Sequence, residues 1–140
     1  MNSRKPPEWI CPVCMRHFSR KNQFHSCMLY SINEHHLKGV NQDVKSLYNA
    51  FVAILNEFGT VTLEPLKTII AAKKNSQFCS IKVQKSGLKI AFRMFSLAQS
   101  PRFSNTSQQD RMFYYEVKIK SKEDMDDELK AWLKQAYLEN

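Results

Sequence analysis

The chain has 140 residues, 43% of them apolar, and a formal net charge of +8. That length holds one ordinary domain and a small appendage, with enough apolar content for a real core. No apolar run is long enough to cross a membrane, and no apolar leader opens Met1–Pro7, so a soluble, cytoplasmic protein with no membrane partner is expected.

The charge is unevenly spread. Residues 65–109 carry eight basic side chains and no acidic one, whereas residues 31–64 and 110–140 each carry a net −2. A stretch of this kind predicts a positive face that attracts phosphates or another anionic surface.

In chain order, residues 1–8 read as a disordered lead, and residues 9–30 as a metal-bound element. Cys11 and Cys14 lie two residues apart, so two thiolates can reach one tetrahedral ion from a single tight turn. His25 and Cys27 supply the second pair, on one face of an extended segment. The set Cys11, Cys14, His25 and Cys27 predicts a zinc site with three thiolates and one imidazole; His17, His35 and His36 are competing ligands. With all four positions filled, no place remains for a catalytic water, and the Zn2+ is expected to be structural. Few large apolar residues lie in this segment, which suits a metal staple.

Ser31-Ile32-Asn33-Glu34 has the capping-box pattern, predicting a short helix to Lys38 that stops at Gly39. Val44, Leu47, Tyr48, Phe51, Leu55 and Phe58 then recur at helical spacing, with Gly59 as the stop. The period next changes to two. A strand is expected over roughly Lys67–Ala72; Cys79, Ile81 and Val83 form another, and Leu88, Ile90, Phe92 and Met94 a third, joined by a turn at Lys85-Ser86-Gly87. Cys79 reads as a small buried hydrophobe. The Ser-, Gln- and Asn-rich segment Ala98–Asp110 reads as a long loop, and Phe113, Tyr115, Val117 and Ile119 as a later strand. A last helix, capped by Ser121, has an acidic start from Glu123 to Glu128 and buries Met125, Leu129, Trp132, Leu133, Ala136 and Tyr137.

These elements predict an α+β fold: an antiparallel sheet of about four to five strands with two main helices packed on it, behind a small zinc-binding element. The expected units are residues 1–30 and a compact domain over 31–140.

Trp9-x-Cys11-Pro12-x-Cys14-x-Arg16-x-Phe18 and Asn22-Gln23-x-His25-Ser26-Cys27 resemble the zinc element of a prokaryotic family, domain-of-unknown-function family 5655. Pro65-Leu66-Lys67-Thr68, Ser100-Pro101-Arg102-Phe103, Asp126-Asp127-Glu128-Leu129 and Ala136-Tyr137 resemble motifs of the same family. The resemblance implies an α+β domain behind a zinc segment and no established activity. Domains of this family beside nuclease-like modules imply a lean toward nucleic acid, by association only.

Binding is the expected role. Lys67, Lys73, Lys74, Lys82, Lys85, Lys89, Arg93 and Arg102, with Arg16, Arg20 and Lys21, are candidate phosphate contacts, and Phe78, Phe95 and Phe103 candidate stacking platforms for nucleic acid. The alternative is a small-anion or protein-partner site, with Lys67, Thr68, Arg93, Ser100 and Arg102 as candidate anion-pocket residues. No Gly-rich phosphate loop, nucleophile elbow or Ser-His-Asp set is present, so no catalytic residue is assigned; Asp110 and Glu116 carry no mark of an acid–base pair.

Overall fold

A computed structural model of the chain describes residues 9–140; the expected lead over residues 1–8 lies outside the described residues. A two-stranded ribbon pairs β1 (Trp9–Ile10) with β2 (His17–Phe18). After one π-helical turn over Ile32–His36 come α1 (Gln42–Glu57), β3 (Thr62–Pro65), β4 (Ile70–Lys73), β5 (Gln77–Gln84), β6 (Gly87–Met94), β7 (Phe103–Gln109), β8 (Met112–Ile119) and α2 (Asp127–Glu139). The main sheet has six strands in the order β3-β4-β5-β6-β8-β7, antiparallel throughout. The α+β class holds, with more strands than expected.

Both helices pack on one face of this sheet. From α1, Val44, Leu47, Tyr48, Phe51, Ile54 and Leu55 are buried; this is the stripe read from the periodicity with Ile54 added and Phe58, at the C-cap, only half-buried. From α2, Leu129, Leu133, Ala136 and Tyr137 are buried. They meet Ile81, Leu88, Ile90, Phe92, Tyr115, Val117 and Ile119 in one core, and Phe92 stacks on Trp132 with ring centroids 6.1 Å apart. Cys79 is buried in this core, and burial alone raises its thiol far above the ordinary range.

Several local expectations are corrected. The segment read as a loop over Ala98–Asp110 contains β7, paired with β8. Its Ser, Asn, Thr and Gln side chains are exposed at the sheet edge, so no burial imposed an apolar alternation on the sequence. Strand β3 was not anticipated, and β4 begins at Ile70, leaving Lys67 and Thr68 in the β3–β4 connection. The helix expected from Ser31 to Lys38 is a single wide turn: the Leu37 N–H donates to the Ile32 carbonyl at 2.8 Å, while Ser31 Oγ accepts from the Glu34 N–H. Ser121 precedes only a short 3-10 turn over Lys122–Asp124; Asp126 caps α2, accepting from the Leu129 N–H at 3.0 Å.

Gly87 opens β6 opposite Gln84, so the turn itself is Lys85-Ser86. A β-carbon at Gly87 would lie 2.2 Å from the Ile119 carbonyl oxygen, a backbone atom of the neighbouring strand end. Gly87→Ala is therefore expected to lower stability by about 2 kcal/mol or more, read from the midpoint of urea unfolding; an unchanged midpoint would refute this close approach.

Candidate metal centre and the groove beside it

The ribbon places the first pair of cysteines. Met15 takes a left-handed conformation with φ of 61°, its N–H donating to the Cys11 carbonyl at 2.8 Å, and the Cys11 N–H donates to the Arg16 carbonyl at 3.0 Å. The chain thereby reverses between β1 and β2 with both sulfurs on its inner side. A second left-handed residue, Asn22 with φ of 56°, turns the chain back so that His25 and Cys27 approach.

The ligand atoms of Cys11, Cys14, His25 and Cys27 all lie within 4.8 Å of one another. Cys11 Sγ is 3.7 Å from Cys27 Sγ, and His25 Nε2 is 3.4 Å from Cys14 Sγ and 3.5 Å from Cys27 Sγ. Metal bonds of about 2.3 Å to sulfur and about 2.0 Å to nitrogen, at tetrahedral angles, separate ligand atoms by about 3.7 Å (S–S) and about 3.5 Å (S–N). The spacing fits one ion, and the cysteines are free thiols rather than a disulfide.

The imidazole is also set for a metal. His25 Nδ1–H donates to the Gln23 carbonyl at 2.6 Å, which leaves the Nε2 lone pair directed at the sulfurs. That same carbonyl raises the pKa of His25, the thiols adding to it. Trp9 and Phe18 wall the ring, with centroids 5.8 and 4.2 Å from it. Cys11 and Cys27 are driven in opposite directions. The Cys14 backbone N–H holds Cys11 down to about 6, while loss of water around its sulfur and the neighbouring Cys11 push Cys27 up to about 11. A divalent cation bound among them would remove that conflict and let every sulfur carry its charge.

Behind the cluster lies a buried ionic group that was not legible in the sequence. Arg16 meets Glu64 at 2.9 Å, Lys73 meets Glu64 at 3.4 Å, and all three side chains are under one-tenth exposed. Arg16 Nη1 also donates to the Ser26 carbonyl at 2.8 Å, between His25 and Cys27, and Lys73 Nζ donates to the His17 carbonyl. The ring of Phe18 lies near both cations, 5.1 Å from the Arg16 guanidinium and 4.4 Å from Lys73 Nζ. Two cations on one carboxylate leave a buried excess of +1. Three thiolates and a neutral imidazole on a dication would carry −1. The two charges would then offset each other across the interface between the Cys/His element and the sheet.

The competing histidines have other partners. His35 and His36 each donate Nε2–H, at 2.7 Å, to the carbonyls of Lys67 and Leu66, tying the π-helical turn to the β3–β4 connection. His17 is exposed on β2 and does not join the Cys/His cluster.

A cavity of about 750 Å³ opens between the metal element and the sheet. Of the candidate anion-site residues, Lys67, Thr68 and Arg93 line it, together with Arg16, Lys73 and the single carboxylate Glu64. Ser100 and Arg102 do not. Arg102 pairs with Asp126 at 2.8 Å and Glu128 at 3.0 Å and lies over Trp132, pinning the start of β7 to α2. The acidic start of α2 thus holds a cation as well as offsetting the helix dipole. Arg93 Nε donates to Asn140 Oδ1 and its Nη2 to Ser76 Oγ, both at 3.0 Å. Among the expected stacking platforms, Phe78 is fully buried and Phe103 packs against Trp132, while Phe95 is exposed. The sequence reading missed Phe24, which lines the cavity and is 96% exposed, and Tyr30 beside it.

The model of a family described as a domain of unknown function (DUF5655) matches residues 33–140. The chain belongs to this family. The match spans the six-stranded sheet and both helices, and it begins after the Cys/His cluster. No curated protein and no solved structure matches the chain. No helix among the described residues is long and apolar enough to cross a membrane.

Proposed function

We propose that this member of the family is a non-catalytic, zinc-stapled module that binds nucleic acid through a basic surface beside the metal element. Zinc is the metal best suited to three thiolates and one imidazole at these spacings, and four protein ligands make its role structural. Bound there, the ion would supply folding free energy to a segment with little core of its own.

The observation that carries the nucleic-acid reading is the groove. Lys67, exposed at its rim, and Arg93 line it with Phe24 and Tyr30 on its wall, while Arg16 and Lys73 lie beneath, committed to Glu64. Cations interleaved with accessible aromatic rings suit phosphates and unstacked bases. Fluorescence anisotropy with zinc-loaded protein and short DNA and RNA, single- and double-stranded, tests this reading. Micromolar binding at physiological salt is expected, weakening with salt by a log–log slope of about −0.7 per phosphate for single strands. Lys67→Ala should weaken it severalfold, and affinity no greater than that of an unrelated basic protein would sink the reading.

A second reading has one observation behind it. Val13, Met15, Phe24 and Met28 of the metal element are each more than half exposed, which also suits a protein partner. In that case nucleic acid would not bind, and a hydrophobic partner would mask these residues from surface labelling.

A further inference from the structure

The face of the sheet opposite the helices is covered at only one end. Arg16 and Phe18 of the metal element lie against Glu64 and Lys73 there, and Ala71 beneath is 1% exposed. Beyond β4 the same face is open, and three cross-strand rows can be read from the register. Lys82, Lys89 and Lys118 are directly opposite one another on β5, β6 and β8. Ser80 and Ala91 are paired in the next row, followed by Glu116 and Asn105. Arg93, Tyr114 and Ser107 form the third.

Like charges in direct cross-strand register oppose each other, so the lysine row works against the stability of the sheet. Glu116 meets Lys89 at 3.7 Å, but Lys82 and Lys118 make no ion pair among the described residues. Beside this row the small side chains of Ser80 and Ala91 leave a trough of about 310 Å³, walled by Arg93 and Tyr114. Arg93 and Gln77 line both the trough and the groove at the metal element, so the two hollows adjoin.

We propose that this open sheet face is the seat of a single-stranded nucleic acid, with successive phosphates on the Lys82–Lys89–Lys118 row and a base in the trough against Tyr114; the proposal rests on the nucleic-acid reading above. The row crosses three strands, about 10 Å at the usual spacing, which is too long for one phosphate and suits a repeating polyanion. A duplex keeps its bases stacked and offers nothing to fill the trough, whereas an unpaired base does. On β7 the amide of Asn105 and the hydroxyl of Ser107 share this face and can meet base edges without adding charge.

The test measures binding of labelled single-stranded DNA, single-stranded RNA and a duplex of equal length to the zinc-loaded full chain across a salt series. Expected is a preference for single strands of either sugar. The exposed double variant Lys82→Ala/Lys118→Ala should bind roughly tenfold more weakly, with a salt slope shallower by about 1.4 for two lost phosphate contacts. Tyr114→Leu, checked for folding by circular dichroism, should lose about tenfold in affinity with its slope unchanged. Lys134→Ala, exposed on α2, should bind as the parent does. Equal affinity for duplex, or full affinity in Tyr114→Leu, would overturn the single-strand seat. Unchanged binding in the lysine variant alongside weakened binding in Lys67→Ala would move the site to the groove and leave the broader reading standing. No nucleic-acid binding by the parent protein would overturn both.

Discussion

Cys11→Ser protein is expected to emerge from purification with metal content reduced from about one ion per chain to nearly none, and with residues 9–30 disordered. Cys11 is the buried ligand, 4% exposed, and the β1–β2 reversal closes on its backbone. Removing one thiolate from a closed four-ligand site also removes the match of charge to a dication. Structural zinc binding in small elements is worth about 10 kcal/mol or more, and that free energy is folding free energy. Elemental analysis measures the first effect, and backbone amide exchange the second. Cys27→Ser should behave alike, and a chelator should reproduce both results in the parent protein. Lowering the pH from about 7 to about 5 should release the ion, because protons compete for the same thiolate and imidazole atoms. The family-matched body over residues 33–140 should keep its slow-exchanging amides in β5, β6 and β8, whose core lies on the helix side. Full occupancy in both serine variants would refute this ligand set.

The largest single-residue effect outside the ligands is expected at Glu64. Glu64→Gln leaves Arg16 and Lys73 buried with no carboxylate between them, and breaking a buried pair in this way costs about 3–5 kcal/mol. Burial already lowers the Lys73 pKa, with Glu64 opposing that shift. Guanidinium unfolding of the zinc-loaded protein measures the loss; a change under about 1 kcal/mol would mean the group is solvated. Because the buried excess of +1 would face a metal-loaded cluster of −1, the effects should be linked. Lys73→Met should weaken zinc affinity, although Lys73 touches no ligand sulfur, and Glu64→Gln should destabilise the chelated protein less than the loaded one, because without the ion residues 9–30 no longer hold Arg16 against Glu64. Equal effects of Glu64→Gln in the two states would show that the charges are independent.

The parts legible in the sequence were those whose physics is local. The stripes of α1 and α2 and the alternation in β5, β6 and β8 follow from burying one face of a periodic element, and each periodicity marks a buried set. The Cys11–Cys14 and His25–Cys27 spacings were legible because coordination chemistry restricts which side chains can converge on one ion. Strand β7 was not legible, because beyond Phe103 its side chains are all exposed, so this edge strand needs only its backbone ladder with β8 and leaves no apolar alternation.

Other features belong to the tertiary structure alone. Glu64 looks like any surface carboxylate until the metal element folds over β3 and β4, 48 residues from its partner Arg16. Arg102 reads as a free phosphate contact until α2 returns to β7 with Asp126 and Glu128. Lys82, Lys89 and Lys118 are separate lysines on three strands until the register sets them in one row. The sequence by itself determined the α+β body and the cysteines of the cluster, since periodicity and ligand spacing act over a few residues; the fold brought His25 to them and gave His35 and His36 other partners. Only the tertiary structure decided which cations are spent inside the protein and which still face solvent, because charge pairing depends on through-space distances that chain order does not encode.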